Sequence, residues 1–214
     1  VFCGRQLLAA KLRRSNIDAA AGAKGEVARL VARIRRRWPK VRILLRADSG
    51  FAREELMAWC EEQRVDYLFG LARNSRLLDE IAVDLAWAEA EHQETGKSAR
   101  RFKDFHYQTL DSWSQKRRVV GKAEQLVGSS GEPGANPRFV VTSLSAQAWA
   151  AQPLYEQLYC ARGEMENRIK ECQLDLFADR TSAATMRANQ LRLWFASMAY
   201  VLVTALRRIG LAGT

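Results

Sequence analysis

The stretch that decides the fold is VRILLRADSGF, residues 41–51, in which an apolar run ends in a glycine-containing turn. A short apolar run followed by turn residues predicts a buried strand over residues 40–47. Asp48 follows that strand directly, and Gly50 allows the chain to turn. Functional groups of open α/β sheets lie at the carboxyl ends of strands. Asp48 is therefore either a metal ligand at the sheet rim or the cap of the next helix.

Helices and strands alternate outward from this stretch. Apolar periodicity predicts, in order, strand 2–13, helix 23–39, strand 40–47, helix 53–64, strand 65–72 and helix 75–94. This alternation is typical of an α/β domain with parallel crossovers. Residues 97–145 then have a β-like pattern, with a loop rich in turn residues, GSSGEPGANP, at 128–137. Helices are predicted again over 148–174 and 183–208.

The change of pattern predicts three parts of the chain. Residues 1–96 are the first part of a core, 97–146 are a β-rich insertion, and 147–214 are the C-terminal helices of the core. The chain opens in the middle of a predicted strand, so we expect a truncated fragment of a longer protein. Its longest uncharged apolar stretch, 193–206, is shorter than the roughly 20 residues of a membrane span, and no membrane partner is predicted.

The amino-acid composition limits the classes of function that this protein can have. The 214 residues are 48% hydrophobic and 27% charged, which is typical of a globular protein. The net charge of +10 favours an anionic partner, most often nucleic acid, although a basic surface without a specific partner has the same composition. Four cysteines without a C-x-x-C pair, and only two histidines, argue against a zinc site. Unpatterned cysteines suit a reducing cytoplasm.

The predicted helix around residues 155–175 carries a second polar pattern. At 100° per residue, one face collects Tyr155, Tyr159, Arg162, Glu166, Lys170 and Gln173. A neighbouring stripe of the same helix is apolar. The polar face is either functional or a solvated surface that holds the ion pairs Arg162–Glu166 and Glu166–Lys170.

Together, these two patterns resemble the cut-and-paste DDE transposases of bacterial insertion sequences, whose catalytic domain is ribonuclease-H-like. In that family the second catalytic Asp lies in a D-x-G-F context after a strand. Asp48, Gly50 and Phe51 match that context. The order of the two motifs, and the β-rich segment between them, also match the family.

The third carboxylate of the family lies in a Tyr-Arg-Glu-Lys signature, Y-x2-R-x3-E-x6-K. Tyr159, Arg162 and Glu166 match its first three positions. Gln173 occupies the Lys position, and Lys170 stands one turn earlier. The resemblance therefore implies that Asp48 and Glu166 are catalytic metal ligands. It also implies that Tyr159, Arg162 and Lys170 contact DNA.

The resemblance implies an α/β fold with a ribonuclease-H-like core, its first strands missing, and a β-rich insertion subdomain. The implied activity is DNA cleavage and strand transfer with Mg²⁺, or Mn²⁺ in its place. The implied partners are transposon ends, target DNA and a second copy in a synaptic homodimer, in the bacterial cytoplasm at the nucleoid. The first catalytic Asp of the family lies upstream of residues 2–13, so this chain alone is expected to be inactive.

Two other functions remain open on the sequence. One is a non-catalytic DNA-binding remnant of a transposase, which the absence of the first Asp favours. The other is a ribonuclease-H-like nuclease unrelated to transposition, against which the Tyr-Arg-Glu spacing argues.

Further DNA contacts are expected outside the two motifs. Arg73 follows a predicted strand near the Asp48 edge and can touch the DNA backbone, or it belongs to a solvated helix start. Trp113 lies beside Arg117 in the β-rich segment. By resemblance it would stack on a flipped base, with Arg117 on the backbone. The alternative is a tryptophan that anchors the small sheet.

Overall fold

A mixed six-stranded sheet places the Asp48 turn at one end of its parallel strand pair. The computed structural model describes residues 1–18, 20–127 and 133–211, and the chain divides into two compact units. The terminal unit consists of Val1–Ile17 and the chain from Ala161 onward. The sheet unit is Asp18–Cys160 and contains the whole six-stranded sheet.

The predicted alternation of helices and strands is largely present, which confirms the α/β class. In chain order the elements are β1 (Phe2–Cys3), β2 (Gln6–Leu7), α1 (Ala23–Arg37), β3 (Leu44–Ala47), α2 (Glu54–Glu62), β4 (Asp66–Leu71), α3 (Ser75–Glu80), α4 (Ala82–Thr95), β5 (Ala99–Tyr107), β6 (Arg117–Val127), β7 (Pro133–Ala135), β8 (Arg138–Thr142), the short turn α5 (Ala151–Pro153), α6 (Gly163–Leu174) and α7 (Met186–Gly210). Of the loop predicted at 128–137, residues 128–132 lie outside the described residues.

The strand order of the sheet is β3-β4-β8-β6-β5, and β7 pairs with β6. Strands β3 and β4 are parallel, with Ala47 opposite Phe69, and their carboxyl ends meet at the same edge. Strand β8 runs antiparallel to both β4 and β6, and β6 runs antiparallel to β5. The β-rich segment predicted as an insertion at 97–146 continues the sheet of β3 and β4, because β8 hydrogen-bonds directly to β4.

Both faces of the sheet are covered within the sheet unit. On one face Tyr67 and Phe69 of β4 pack with buried apolar residues of the helices α1 to α3, such as Val31, Met57 and Leu77. On the other face the core comprises Leu68, Val120, Val140, Leu144, Leu154 and Tyr155. Successive side chains of a strand point to opposite faces, so β4 is apolar after its first residue, Asp66, and buried at its centre.

The prediction of one strand over residues 2–13 is wrong. Phe2–Cys3 and Gln6–Leu7 form a separate antiparallel hairpin in the terminal unit. Gly4 lies in its turn with φ +55°, a left-handed conformation that glycine adopts at no steric cost. Among the strands of the described ranges, β3 and β4 are consequently the only parallel pair.

Two predicted helices are interrupted. The helix expected over 75–94 breaks at Ile81, which leaves helical geometry with φ −109° and ψ 13° and buries its side chain completely. The helix expected over 148–174 is not regular, because a π-helical turn spans Leu154–Tyr159 and a 3-10 turn spans Cys160–Arg162 before α6 begins. None of the helices in the described ranges combines the length and apolarity that a membrane crossing requires.

Candidate active site

The Asp48 turn is the first part of the candidate site. Strand β3 ends at Ala47, and Asp48 caps a single 3-10 turn, Ser49–Phe51. Its Oδ1 accepts a hydrogen bond of 2.9 Å from the backbone N–H of Gly50. The predicted cap of the next helix is thus a cap of this short turn instead, because α2 begins later, after Arg53. The carboxylate is exposed and forms no ion pair with any described residue, so Oδ2 is open to a ligand.

Tyr159 reaches this turn from the helical layer on one face of the sheet. Gly70 lies on β4, the parallel neighbour of β3, and has no side chain between the two groups. A Cβ added at Gly70 would lie 2.6 Å from the Tyr159 hydroxyl, 2.9 Å from the backbone N of Ser49 and 3.3 Å from the carbonyl C of Asp48. The glycine therefore makes room for a close approach of the Tyr159 hydroxyl to the Asp48–Ser49 peptide.

Arg46 connects the strand that carries Asp48 with the turn that carries Tyr159. It lies two residues before Asp48, and its Nη1 donates a hydrogen bond of 2.7 Å to the carbonyl oxygen of Leu158. Arg46 is half-buried and lies in β3, whose residue Leu44 packs on the same face as Leu158 and Tyr159. Residues at i and i+2 of a strand share a face, so Arg46 and Leu44 both point to this helical layer.

Arg73 lies at the same edge of the sheet. It follows the carboxyl end of β4 by two residues, is exposed, and forms no ion pair within the described ranges. The next residue, Asn74, is occupied structurally, because its side chain caps α3 by accepting from the Leu77 N–H at 3.0 Å. Of the polar residues in this loop, Arg73 is consequently the one available for an anionic ligand.

Glu166 and its neighbours belong to the terminal unit. Glu166 lies in the first turn of α6, and its side chain is 53% exposed. Its Oε1 is 2.9 Å from Nη2 of Arg162, so the first predicted ion pair of this face is present. The second is not, because Lys170 is exposed and pairs with no described carboxylate. Asp48 belongs to the sheet unit.

Trp113 does not have the exposure that its predicted role requires. Its side chain is only 5% exposed and belongs to the core of the sheet unit. The ring packs edge-on against Tyr107 at 5.8 Å, and the Arg117 guanidinium lies 5.5 Å from its centre. No face of the ring is open to a nucleotide base. The structure corrects the base-stacking prediction and favours the alternative, a tryptophan that anchors the sheet.

Arg117 is likewise unavailable to DNA in this conformation. It is 4% exposed and forms hydrogen-bonded ion pairs with Glu54 and Glu61 of α2, at 2.6 and 2.7 Å. Burial alone would raise the pKa of both glutamates. The hydrogen bonds and charge of Arg117, together with hydrogen bonds from Ser114 to Glu54 and from Tyr67 and Gln115 to Glu61, outweigh burial and hold each pKa below its ordinary value. Tyr67 also donates to Glu61, at 2.7 Å. We therefore correct the prediction of an Arg117–DNA contact: Arg117 fixes α2 to β6.

The donor chemistry of the two predicted ligands fits a hard divalent cation. Carboxylate oxygens are the ligands that Mg²⁺ prefers, and it keeps several waters when few protein ligands are present. Within residues 1–18, 20–127 and 133–211, no three His, Cys, Asp or Glu side chains converge as a metal site. Asp48 offers an oxygen that its cap does not use. Glu166 offers a carboxylate that is 53% exposed and is paired with Arg162, whose side chain is 19% exposed.

Comparison with known proteins identifies the class of this α/β domain. The family model for the transposase DDE domain, group 1, matches residues 1–214. The chain therefore belongs to this transposase family, as the two sequence motifs predict. Transposases of this family act on DNA and generally use divalent metal ions. No curated protein matches the chain at a significant level.

Two residues of the site were not predicted from the sequence, namely Arg46 and Gly70. Each nevertheless leaves a signal. A glycine inside the apolar run VDYLFGLA indicates close approach of another group to the backbone. A charged residue inside ILLRA must find a partner when the strand is packed on both faces. Neither signal says which group is the partner, because Leu158 and Tyr159 lie far away in the sequence.

Proposed function

We propose that this domain carries out metal-dependent DNA cleavage and strand transfer in the intact transposase, with Asp48 and Glu166 as metal ligands. One observation carries the proposal. An exposed carboxylate with an unused oxygen ends a parallel strand, and the hydroxyl of Tyr159, from the Tyr-Arg-Glu signature, lies at the same turn. Carboxyl ends of parallel strands are where open α/β sheets bind their ligands, which supports the assignment.

The chemistry of each side chain suits it to bind either the metal ions or a DNA phosphate. Asp48 and Glu166 would hold the cations, Mg²⁺ or Mn²⁺. When bound, such ions activate a water or a 3′-hydroxyl and stabilise the leaving oxygen of a phosphodiester. Arg162 would bind a DNA phosphate by charge-assisted hydrogen bonds. Its present partner Glu166 is 53% exposed and would exchange Arg162 for a cation.

The remaining DNA contacts follow the exposure of the side chains. Tyr159 would donate a hydrogen bond to a phosphate oxygen at the Asp48 turn. Arg73, exposed at the same edge, and Lys170, exposed on α6, would contact the backbone as point charges. We further propose a ribonuclease-H-like core. The parallel pair β3–β4 between helical layers supports it. Two copies are expected to hold two transposon ends together.

Asp48→Asn provides a clean test of the catalytic assignment in the intact transposase. The asparagine side-chain oxygen can still accept the Gly50 N–H, so the turn and the melting temperature should be preserved. The charge that a cation requires is lost, so DNA cleavage in Mg²⁺ should disappear while DNA binding by gel shift persists. Cleavage at the wild-type rate by Asp48→Asn would exclude Asp48 as a ligand.

Glu166→Gln tests the second ligand in the same way. The matched control is Glu164→Gln, two residues earlier on α6 and also exposed. We expect loss of cleavage in Glu166→Gln and wild-type cleavage in Glu164→Gln, with similar DNA affinity in both. If the intact wild-type protein binds DNA but cleaves none with Mg²⁺ or Mn²⁺, the chain is a non-catalytic DNA-binding remnant.

A further inference from the structure

The helical segment that carries Tyr159 changes its hydrogen-bond pattern within two turns. Residues Leu154–Tyr159 are π-helical, and Cys160–Arg162 form a 3-10 turn. π-helical turns are rare and frequently occur at functional sites. The wider π turn and the tighter 3-10 turn change the direction in which Tyr159 projects, relative to the even α-helical spacing of the sequence prediction. The π turn therefore needs contacts with other parts of the fold to hold it in place.

Two arginines of the sheet provide those contacts. Arg46 of β3 donates to the Leu158 carbonyl oxygen at 2.7 Å, at the end of the π turn next to Tyr159. Arg100 of β5 pairs with Glu156 in the same turn at 3.0 Å. Glu156 also accepts from Gln152 at 3.0 Å, which ties it to the start of the segment. The two arginines therefore hold the π turn from two different strands of the sheet.

Arg46 is the contact that bears directly on the Asp48 turn. It precedes Asp48 by two residues on the same strand and holds the carbonyl of the residue before Tyr159. Gly70 leaves the space in which the Tyr159 hydroxyl approaches the Asp48–Ser49 peptide. Displacement of the π turn would thus move the hydroxyl away from the turn that carries the carboxylate.

We propose that Arg46 is a positioning residue that holds the π turn and thereby sets the Tyr159 hydroxyl at the Asp48 turn. The consequence for DNA rests on the proposed function, in which Tyr159 donates to a phosphate oxygen. The positioning itself does not depend on catalysis. Arg46 has no direct role toward DNA in this account, because its guanidinium is half-buried and bonded to the Leu158 carbonyl.

The positioning is tested without DNA by 19F NMR of the chain labelled with 3-fluorotyrosine, in which Tyr159→Phe identifies the Tyr159 signal. Arg46→Met removes the donor to Leu158 and should shift and broaden that signal, together with the signal of Tyr155 in the same turn, while the signals of the tyrosines outside the turn, Tyr67, Tyr107 and Tyr200, stay. Arg46→Lys keeps a donor and should restore most of the wild-type spectrum. Arg42→Met, at an exposed arginine just before β3 whose ion-pair partner is Asp66, is the matched control and should leave the Tyr159 signal unchanged.

An unchanged Tyr159 signal in Arg46→Met would overturn the proposal. If Arg46→Met does not fold, Arg46→Gln serves instead, because its shorter side chain cannot reach the carbonyl as the guanidinium does. A spectrum in which every tyrosine signal moves would also overturn it, since that outcome means a general structural role for Arg46.

A double-mutant cycle on strand cleavage then links Arg46 to the proposed function. In the intact transposase, Tyr159→Phe should slow cleavage by about 10- to 100-fold, which corresponds to the loss of one hydrogen bond to a charged group. Arg46→Met should slow it to a similar extent, and the double variant no further than the slower single variant. Multiplying losses would contradict action through Tyr159. If the wild type does not cleave, the proposed function fails, and the NMR result still decides the role of Arg46.

Discussion

Replacing Gly70 with alanine would put a methyl group where the Tyr159 hydroxyl already lies. The new Cβ would be 2.6 Å from that hydroxyl, 2.9 Å from the Ser49 backbone N and 3.3 Å from the Asp48 carbonyl C. The first two contacts are far inside van der Waals distance, and the second involves backbone, which cannot swing aside. Overpacking of this kind costs about 1–3 kcal/mol. It exceeds the roughly 0.4–1 kcal/mol that Gly→Ala gains by restricting the unfolded chain.

Thermal unfolding followed by circular dichroism measures this cost. The midpoints of these ranges leave a net cost of about 1.3 kcal/mol, so at about 2–4 °C per kcal/mol for a chain of this size Gly70→Ala should melt roughly 3–5 °C below the wild type. Gly25→Ala is the matched control, because it lies inside α1 with nothing within 4 Å of its added Cβ. That control should gain about 0.5–1 kcal/mol from helix propensity. Equal or higher stability of Gly70→Ala would refute the close approach of Tyr159 to the Asp48 turn.

Removal of the Tyr159 hydroxyl tests separately how much that group contributes to the cost of Gly70→Ala. Tyr159→Phe eliminates the shortest contact and leaves the Ser49 contact, so Gly70→Ala should cost less in a Tyr159→Phe background. Residues in direct contact typically couple by about 0.5–3 kcal/mol in such cycles. Additive effects of the two substitutions would mean that the hydroxyl does not lie against Gly70.

Two further predictions concern stability. Trp113→Ala should destabilise the chain by about 3–5 kcal/mol, as truncation of a buried aromatic side chain does. The control Trp38→Ala should change the stability little, because Trp38 is 60% exposed. A small effect of Trp113→Ala would restore the predicted DNA role of Trp113. Glu54 and Glu61 have native pKa values below their ordinary values, so their contribution is complete above about pH 4.5 and is lost as the pH falls through the native pKa values. Denaturant unfolding between pH 7 and 3 should show that loss, with a smaller one in the Glu54→Gln/Glu61→Gln double variant; equal losses would contradict it.

The sequence predicts most local elements of this fold because apolar periodicity is local. The strands at 44–47 and 66–71, and the helix α1, lie where that periodicity predicts them. The pairing of β8 with β4 could not be predicted, because nothing in a strand specifies its partner. The sequence therefore predicts the β-rich pattern of residues 97–146 and leaves open the strands with which it pairs. Gly4 and its left-handed φ explain why 2–13 turns back instead of continuing as one strand.

The candidate site also contains residues that the sequence predicts and residues whose contacts it does not predict. Asp48 and the Tyr159–Arg162–Glu166 spacing are visible as motifs in the sequence, and the transposase family that they predict is the one whose model matches the chain. Trp113 and Arg117, which the sequence predicts as DNA contacts, are buried in the structure. Basic and aromatic neighbours in a sequence can be paired in the interior as well as exposed. Glu54 and Glu61, which bind Arg117, are about sixty residues away in the sequence. Long-range ion pairs of this kind leave no local signal.

The most direct test of the central claim is a crystal structure of the intact transposase grown with Mn²⁺, whose anomalous scattering locates the ion. We expect an ion bound directly by a carboxylate oxygen of Asp48 and one of Glu166, with Oδ1 of Asp48 still accepting from the Gly50 N–H. The Arg162–Glu166 ion pair should then be broken or shared. An ion bound elsewhere, with Asp48 only capping its turn and Glu166 still paired to Arg162 alone, would contradict the assignment of both residues as metal ligands.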